Sequence, residues 1–96
     1  MSTRDDYVRK MHVLLDKWNA EIDDLESRAE LAEANLRDGY REQIAHLRAR
    51  QQDARARLAA VRDASESAWE DLKAGLELAR DAVGEAVESA RARFKR

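Results

Sequence analysis

Residues 63–70 read Asp63-Ala64-Ser65-Glu66-Ser67-Ala68-Trp69-Glu70, and the fold turns on how this stretch is read. It is the most polar run in the second half of the chain. Ser67, three residues before Glu70, fits a capping box in which Ala68 and Trp69 open a helix, and Asp63 with Glu66 fits a second. Read as a turn, residues 63–66 separate a helix over about 4–62 from a helix over about 67–95. No glycine closes the preceding helix here. Read as helix, the stretch leaves one rod of about 90 residues, about 135 Å long at 1.5 Å per residue.

Both readings rest on one apolar stripe at steps of three and four residues. It runs through Met11, Leu14, Trp18, Ile22, Leu25, Ala29, Ala32, Leu36, Tyr40, Ile44, Leu47, Gln51, Ala54, Leu58, Val61, Ser65, Trp69, Leu72, Leu76, Val83, Val87, Ala90 and Phe94. At about 100° per residue these positions stay within an arc of roughly 120°. Proline is absent. Thr3 before Asp5 and Asp6 suits the start of the first helix. The glycines are Gly39, Gly75 and Gly84, and the stripe keeps its phase through Gly39. The class is all-α, a single helical coiled-coil domain over residues 1–96. Many stripe positions are alanine, so a lone helix buries too little to offset chain entropy and needs a partner.

Charge distribution favours the hairpin. The net charge of −2 hides segregated blocks: +1 over residues 1–20, −5 over 21–45, +4 over 46–62, −6 over 63–88 and +4 over 89–96. Folding about residue 65 sets the basic block 46–62 beside the acidic segment 68–84, and the basic tail 89–96 beside 34–41. The core layers then pair Val61 with Trp69, Leu58 with Leu72, Ala54 with Leu76, Leu47 with Val83, Tyr40 with Ala90 and Leu36 with Phe94. With Ile44, these form the expected hairpin core. The first helix overhangs the second, and the overhang carries the bulkiest apolar cluster: Met11, Leu14, Leu15, Trp18, Ile22 and Leu25. Left bare it is a large sticky patch. The expectation is an antiparallel coiled-coil hairpin that dimerises with a second copy of itself through residues 8–36. On that reading, charged residues at positions 18 and 22 reduce the dimer to monomer. The rivals are the continuous helix and a three-helix bundle with a second turn at Asp38-Gly39, which buries the cluster within one chain.

Four segments carry a family resemblance: Tyr7-Val8-Arg9-Lys10-Met11, Leu15-Asp16-Lys17-Trp18-Asn19-Ala20-Glu21-Ile22-Asp23, Ala68-Trp69-Glu70-Asp71-Leu72-Lys73-Ala74-Gly75 and Ala92-Arg93-Phe94-Lys95. The chain resembles the small bacterial coiled-coil-domain proteins often labelled stress-associated. The resemblance implies a helical coiled-coil protein with a stress association, and it brings no catalytic or ligand-binding residues.

The chemistry-bearing residues are sparse. Cysteine is absent, which removes disulfides, thiolate nucleophiles and thiolate-held metals. His12 with Asp16 and Glu42 with His46 stand four apart on a helix, yet di-iron helical sites use a three-residue spacing and further glutamates. Ordinary surface pairs fit better. With no nucleophile motif, phosphate loop or pocket-forming pattern, an enzyme is not expected, nor any cofactor or metal. Arg48, Arg50, Arg55, Arg57 and Arg62 form a basic run, but nucleic acid is disfavoured because intramolecular pairing absorbs it. Residues 67–94 offer Trp69, Leu72, Leu76, Val83, Val87 and Phe94 to a membrane surface, a weaker reading because the opposite face is acidic. Met1 to Tyr7 lacks the apolar core of a signal peptide and no segment approaches the length of a membrane span. The expectation is a cytoplasmic scaffold or protein-interaction protein whose partner is itself or another protein.

Overall fold

Leu31, Ala32 and Glu33 interrupt the helix in the first half of the chain. In the computed structural model, which describes residues 3–94, α1 spans Thr3–Glu30, α2 spans Ala34–Asp63 and α3 spans Trp69–Phe94. The helices lie side by side, with α2 antiparallel to α1 and to α3. The bundle measures 51 × 19 × 17 Å, close to the length of one helix of about 30 residues, or about 45 Å.

The expected single helix over 4–62 is therefore corrected to two helices. The break lies several residues before Asp38-Gly39, and Gly39 sits inside α2. The turn is built without glycine or proline, and no described residue has a positive φ. The last turn of α1 tightens, with the Leu31 amide donating to the Arg28 carbonyl at 3.1 Å and Ala32 to Ala29 at 3.2 Å. Glu33 is extended at φ −58°, ψ 147°. Its carbonyl accepts the amides of Leu36 at 2.9 Å and Arg37 at 3.1 Å, which starts α2. Arg37 Nη2 donates to the orphan Ala32 carbonyl at 3.2 Å.

The second turn falls close to its expected place, over 64–68. Ala64 is extended, and the Ser65 carbonyl accepts the amides of Ala68 and Trp69, both at 3.1 Å. Arg4 closes this end: its guanidinium donates to the Ala64 carbonyl and lies 3.4 Å from Glu66. Thr3 is already helical, so the cap of α1 falls outside the described residues, as do Lys95 and Arg96 of the basic tail.

Folding α1 back changes the role of the bulky cluster. Met11, Leu15, Ile22 and Leu25 are buried in the chain's own core, and Leu14 and Trp18 pack half-buried against it. These six residues are thus the inner face of α1, not an uncovered overhang. Ile44, Leu47, Leu58, Val61, Trp69, Leu76 and Val83 are buried as expected. Tyr40 and Phe94 are half-buried. Their rings stand 4.3 Å apart, so the α2–α3 register is one turn from the expected Leu36–Phe94 layer. Leu36 and Leu72 leave the core at 45% and 42% exposed, each in the first turn of its helix at an end of the bundle.

Two contacts fix how α1 sits. The Trp18 indole lies over Gly84, where an added Cβ would come within 3.0 Å of the ring. Gln51, 3% exposed, reaches across the core and donates from Nε2 to the Leu15 carbonyl at 2.7 Å. A buried polar group of this kind favours one register over its neighbours.

Charge at Ile22 should therefore unfold the protein rather than dissociate it. Burying an unpaired carboxylate there removes several kcal/mol, much of a stability of about 5–15 kcal/mol. Circular dichroism of Ile22→Asp should show lost helicity; a folded variant would contradict the assignment. At exposed Gly39, where an added Cβ meets nothing within 4 Å, Gly39→Ala should raise stability by up to about 1 kcal/mol. Gly84→Ala should fall short of that gain because Trp18 must move, and denaturant midpoints compare the two.

Candidate interaction surface

One flank of the bundle is an ionic seam between α1 and α2. Arg41 grips Glu30 with two bonds of 2.8 Å, from Nε and Nη2. Arg48 Nη2 lies 2.5 Å from Asp23 and 3.7 Å from Glu26, and its Nη1 donates to Asn19 at 3.0 Å. Arg55 pairs with Asp16 at 2.7 Å. Asp16, Asp23 and Glu30 recur every seven residues, as do Arg41, Arg48 and Arg55, so each set lines one side of its helix. Hydrogen bonding from Arg55 and Arg41 holds the Asp16 and Glu30 carboxyls below the usual carboxylate range.

This corrects the expected charge pairing. Arg48 and Arg55 of the basic block meet the acids of α1, not those of 68–84. The α3 tail does lie beside residues 36–40, with Phe94 against Tyr40, and it also reaches α1, with Arg91 3.7 Å from Glu21. Block sums conceal this partnership, because Asp16 lies in a block of net positive charge. The seven-residue spacing of single residues was the signal that could have shown it.

The seam also accounts for the other candidate chemistries. Arg48 and Arg55 are held by α1, Arg57 by Asp53 at 3.2 Å and Arg62 by Asp63 at 3.0 Å, which occupies most of the basic run. His12 Nδ1 lies 3.9 Å from Asp16, whose carboxylate already belongs to Arg55. His46 and Glu42 line a shallow hollow of about 380 Å³ between α2 and α3, with Gln43, Ser89 and Arg93. Among the described residues no group of three or more histidine, aspartate or glutamate side chains is placed to hold a metal ion. Trp69, Leu76, Val83 and Val87, which a membrane surface would need, face the core. No helix among the described residues is long and apolar enough to cross a membrane.

The two ends of the bundle differ. At the α2–α3 turn Leu72 is exposed, but around it aromatic and charged groups satisfy one another: the Tyr7 and Trp69 rings are 6.0 Å apart and Lys73 Nζ lies 5.0 Å above Tyr7. Burial, with Glu77 beside it, pushes the Tyr7 phenol up to about 12. At the α1–α2 turn, apolar side chains lie open. Leu31 is 87% exposed and Leu36 45%. Together with Ala32, Tyr40 and Phe94 they line a hollow of about 450 Å³, bordered by Arg28 and Glu33. A second hollow of about 540 Å³ is formed by Leu36, Tyr40, Ala92 and Arg93. Leu31 stands off the periodic stripe, so helical periodicity gave it no role. It matters because the helix stops there. Comparison of the chain with protein-family models, with curated proteins and with solved structures finds no match.

Two titrations check these environments. Tyr7 holds its proton in the native state after an unfolded phenol, with its ordinary value of about 10, has lost it. Its stabilising contribution is therefore full below pH 10 and falls away toward pH 12. An ultraviolet titration should show a late-ionising phenol, and Tyr7→Phe should remove that step. The depressed Asp16 and Glu30 carboxyls stabilise the fold above the ordinary carboxylate range, and that support is lost as the pH falls through their lower native values. The urea midpoint should drop on acidification, less so in Asp16→Asn/Glu30→Gln and in high salt.

Proposed function

We propose that this chain is a non-enzymatic helical interaction protein that associates with a second copy of itself through the α1–α2 turn end. The observation that carries this reading is the open apolar cluster there: exposed Leu31 and Leu36 beside half-buried Tyr40 and Phe94. Isolated surface leucines are ordinary, but a contiguous apolar patch rimmed by charge marks an interaction site. The rest of the surface favours no small-molecule chemistry. Its carboxylates are either paired with arginines or scattered on exposed faces, and its hollows are open rather than enclosed. The resemblance to stress-associated coiled-coil proteins adds a stress association to this reading.

The site of association moves relative to the sequence expectation. The expected dimer used the inner face of α1, which the chain covers itself. The turn end remains available, and it lies within the same 8–36 segment at Leu31 and Ala32.

Sedimentation over a wide concentration range should show a reversible dimer. Leu31→Asp/Leu36→Asp should weaken it by at least tenfold, the equivalent of about 1.4 kcal/mol. Both positions are exposed, so helicity and melting temperature should change little. A monomer at every concentration would contradict the proposed self-association.

A further inference from the structure

We infer that the dimer forms by exchange of α1: the 31–33 turn straightens, α1 and α2 become one helix, and each α1 packs on the α2–α3 pair of the other copy. This rests on the self-association reading above and names its geometry.

The first support is the phase of the core. At about 100° per residue, the buried positions of α1 and those of α2 fall within one arc of about 100° if the helix is continued through the turn. A connection that only served to reverse the chain would not need to preserve that phase. Here a straight helix presents one face from Met11 to Val61 in constant phase, apolar except at Gln51 and without a fully buried residue between Ala29 and Ile44.

The second support is the register. Glu30–Arg41, Asp23–Arg48 and Asp16–Arg55 are each centred on the same point of the chain, between residues 35 and 36. Two straight helices lying antiparallel about a twofold axis at that point would re-form each pair between copies, twice over. The carboxylates all lie before the axis and the arginines all after it, on one side of the helix. The requirement that a twofold contact be self-complementary is thus already met by the intrachain seam. Leu36 falls at the axis and meets its counterpart, so the swap covers a residue that the closed chain leaves exposed.

The third support is the turn itself. It holds no glycine, proline or left-handed residue. Glu33 already has a helical φ of −58°, and its ψ of 147° is what departs from helix. The closed turn starts α2 without a side-chain cap and leaves Arg37 Nε buried without a hydrogen-bond partner. Straightening lets the amides and carbonyls of 31–33 join the helical ladder. Short hinge loops of this kind favour exchange between copies.

The chain has no cysteine, so Glu30→Cys/Arg41→Cys places one reporter pair across the seam. The isolated dimer of this variant should oxidise to a covalent dimer of twice the 11.0 kDa chain mass. Scattering from the unmodified dimer should give a maximum dimension of about 90 Å, the length of a helix over residues 3–63. Glu33→Pro, which suits the extended turn and interrupts a continuous helix, should abolish dimer while the monomer stays folded. A dimer whose 30–41 disulfide stays within each chain would overturn the exchange and leave self-association standing. A monomer throughout would overturn both.

Discussion

The structure depends on covering one face of α1. Met11, Leu15, Ile22 and Leu25 are the largest apolar group in the first third of the chain, and a single helix cannot hide them. Fully burying a side chain of this size stabilises by about 1.5–3 kcal/mol. The chain meets the requirement by reversing at 31–33 and laying α1 against α2 and α3. Everything else follows from that move: the ionic seam, the seating of Trp18 on Gly84, the bond from Gln51 to the Leu15 carbonyl and the apolar residues left open at the turn.

Packing and charge have separate tasks. The seam residues are largely solvated, and exposed ion pairs contribute little individually. They set register and direction, since acids of α1 repeat at the spacing of arginines on α2. Affinity between the helices comes from the buried apolar layers. A seam that is weak in energy but specific in alignment can serve equally within one chain or between two, because the interacting groups do not record which molecule they belong to.

The all-α class and the turn near residue 65 were legible because periodicity and a polar run are local signals, although Ser67 Oγ pairs with Ser65 Oγ rather than capping α3. The α2–α3 core was largely legible for the same reason, and the one-turn shift to Tyr40–Phe94 lies within what side-chain size alone can specify. The first turn was not legible. Leu31-Ala32-Glu33 has no glycine, proline or capping hydroxyl, and the stripe passes through it in phase. What bends the chain there is the tertiary gain of burying α1, which no local pattern displays. Leu36 was misplaced for a related reason: periodicity assigns it to the core face, but it lies in the first turn of α2 at the end of the bundle. The pairing of Asp16, Asp23 and Glu30 with Arg55, Arg48 and Arg41 was present in the spacing and hidden by averaging charge over blocks.

The fold-back of α1 along α2 within a single chain underlies all of these features. It is tested most directly by the distance between spin labels at exposed positions 12 and 60, one in each helix, in dilute monomeric protein. With α1 folded back, the labels should stand less than about 25 Å apart, since helices in contact have axes about 8–10 Å apart. A separation of about 70 Å, the length of 48 residues of continuous helix, would contradict it.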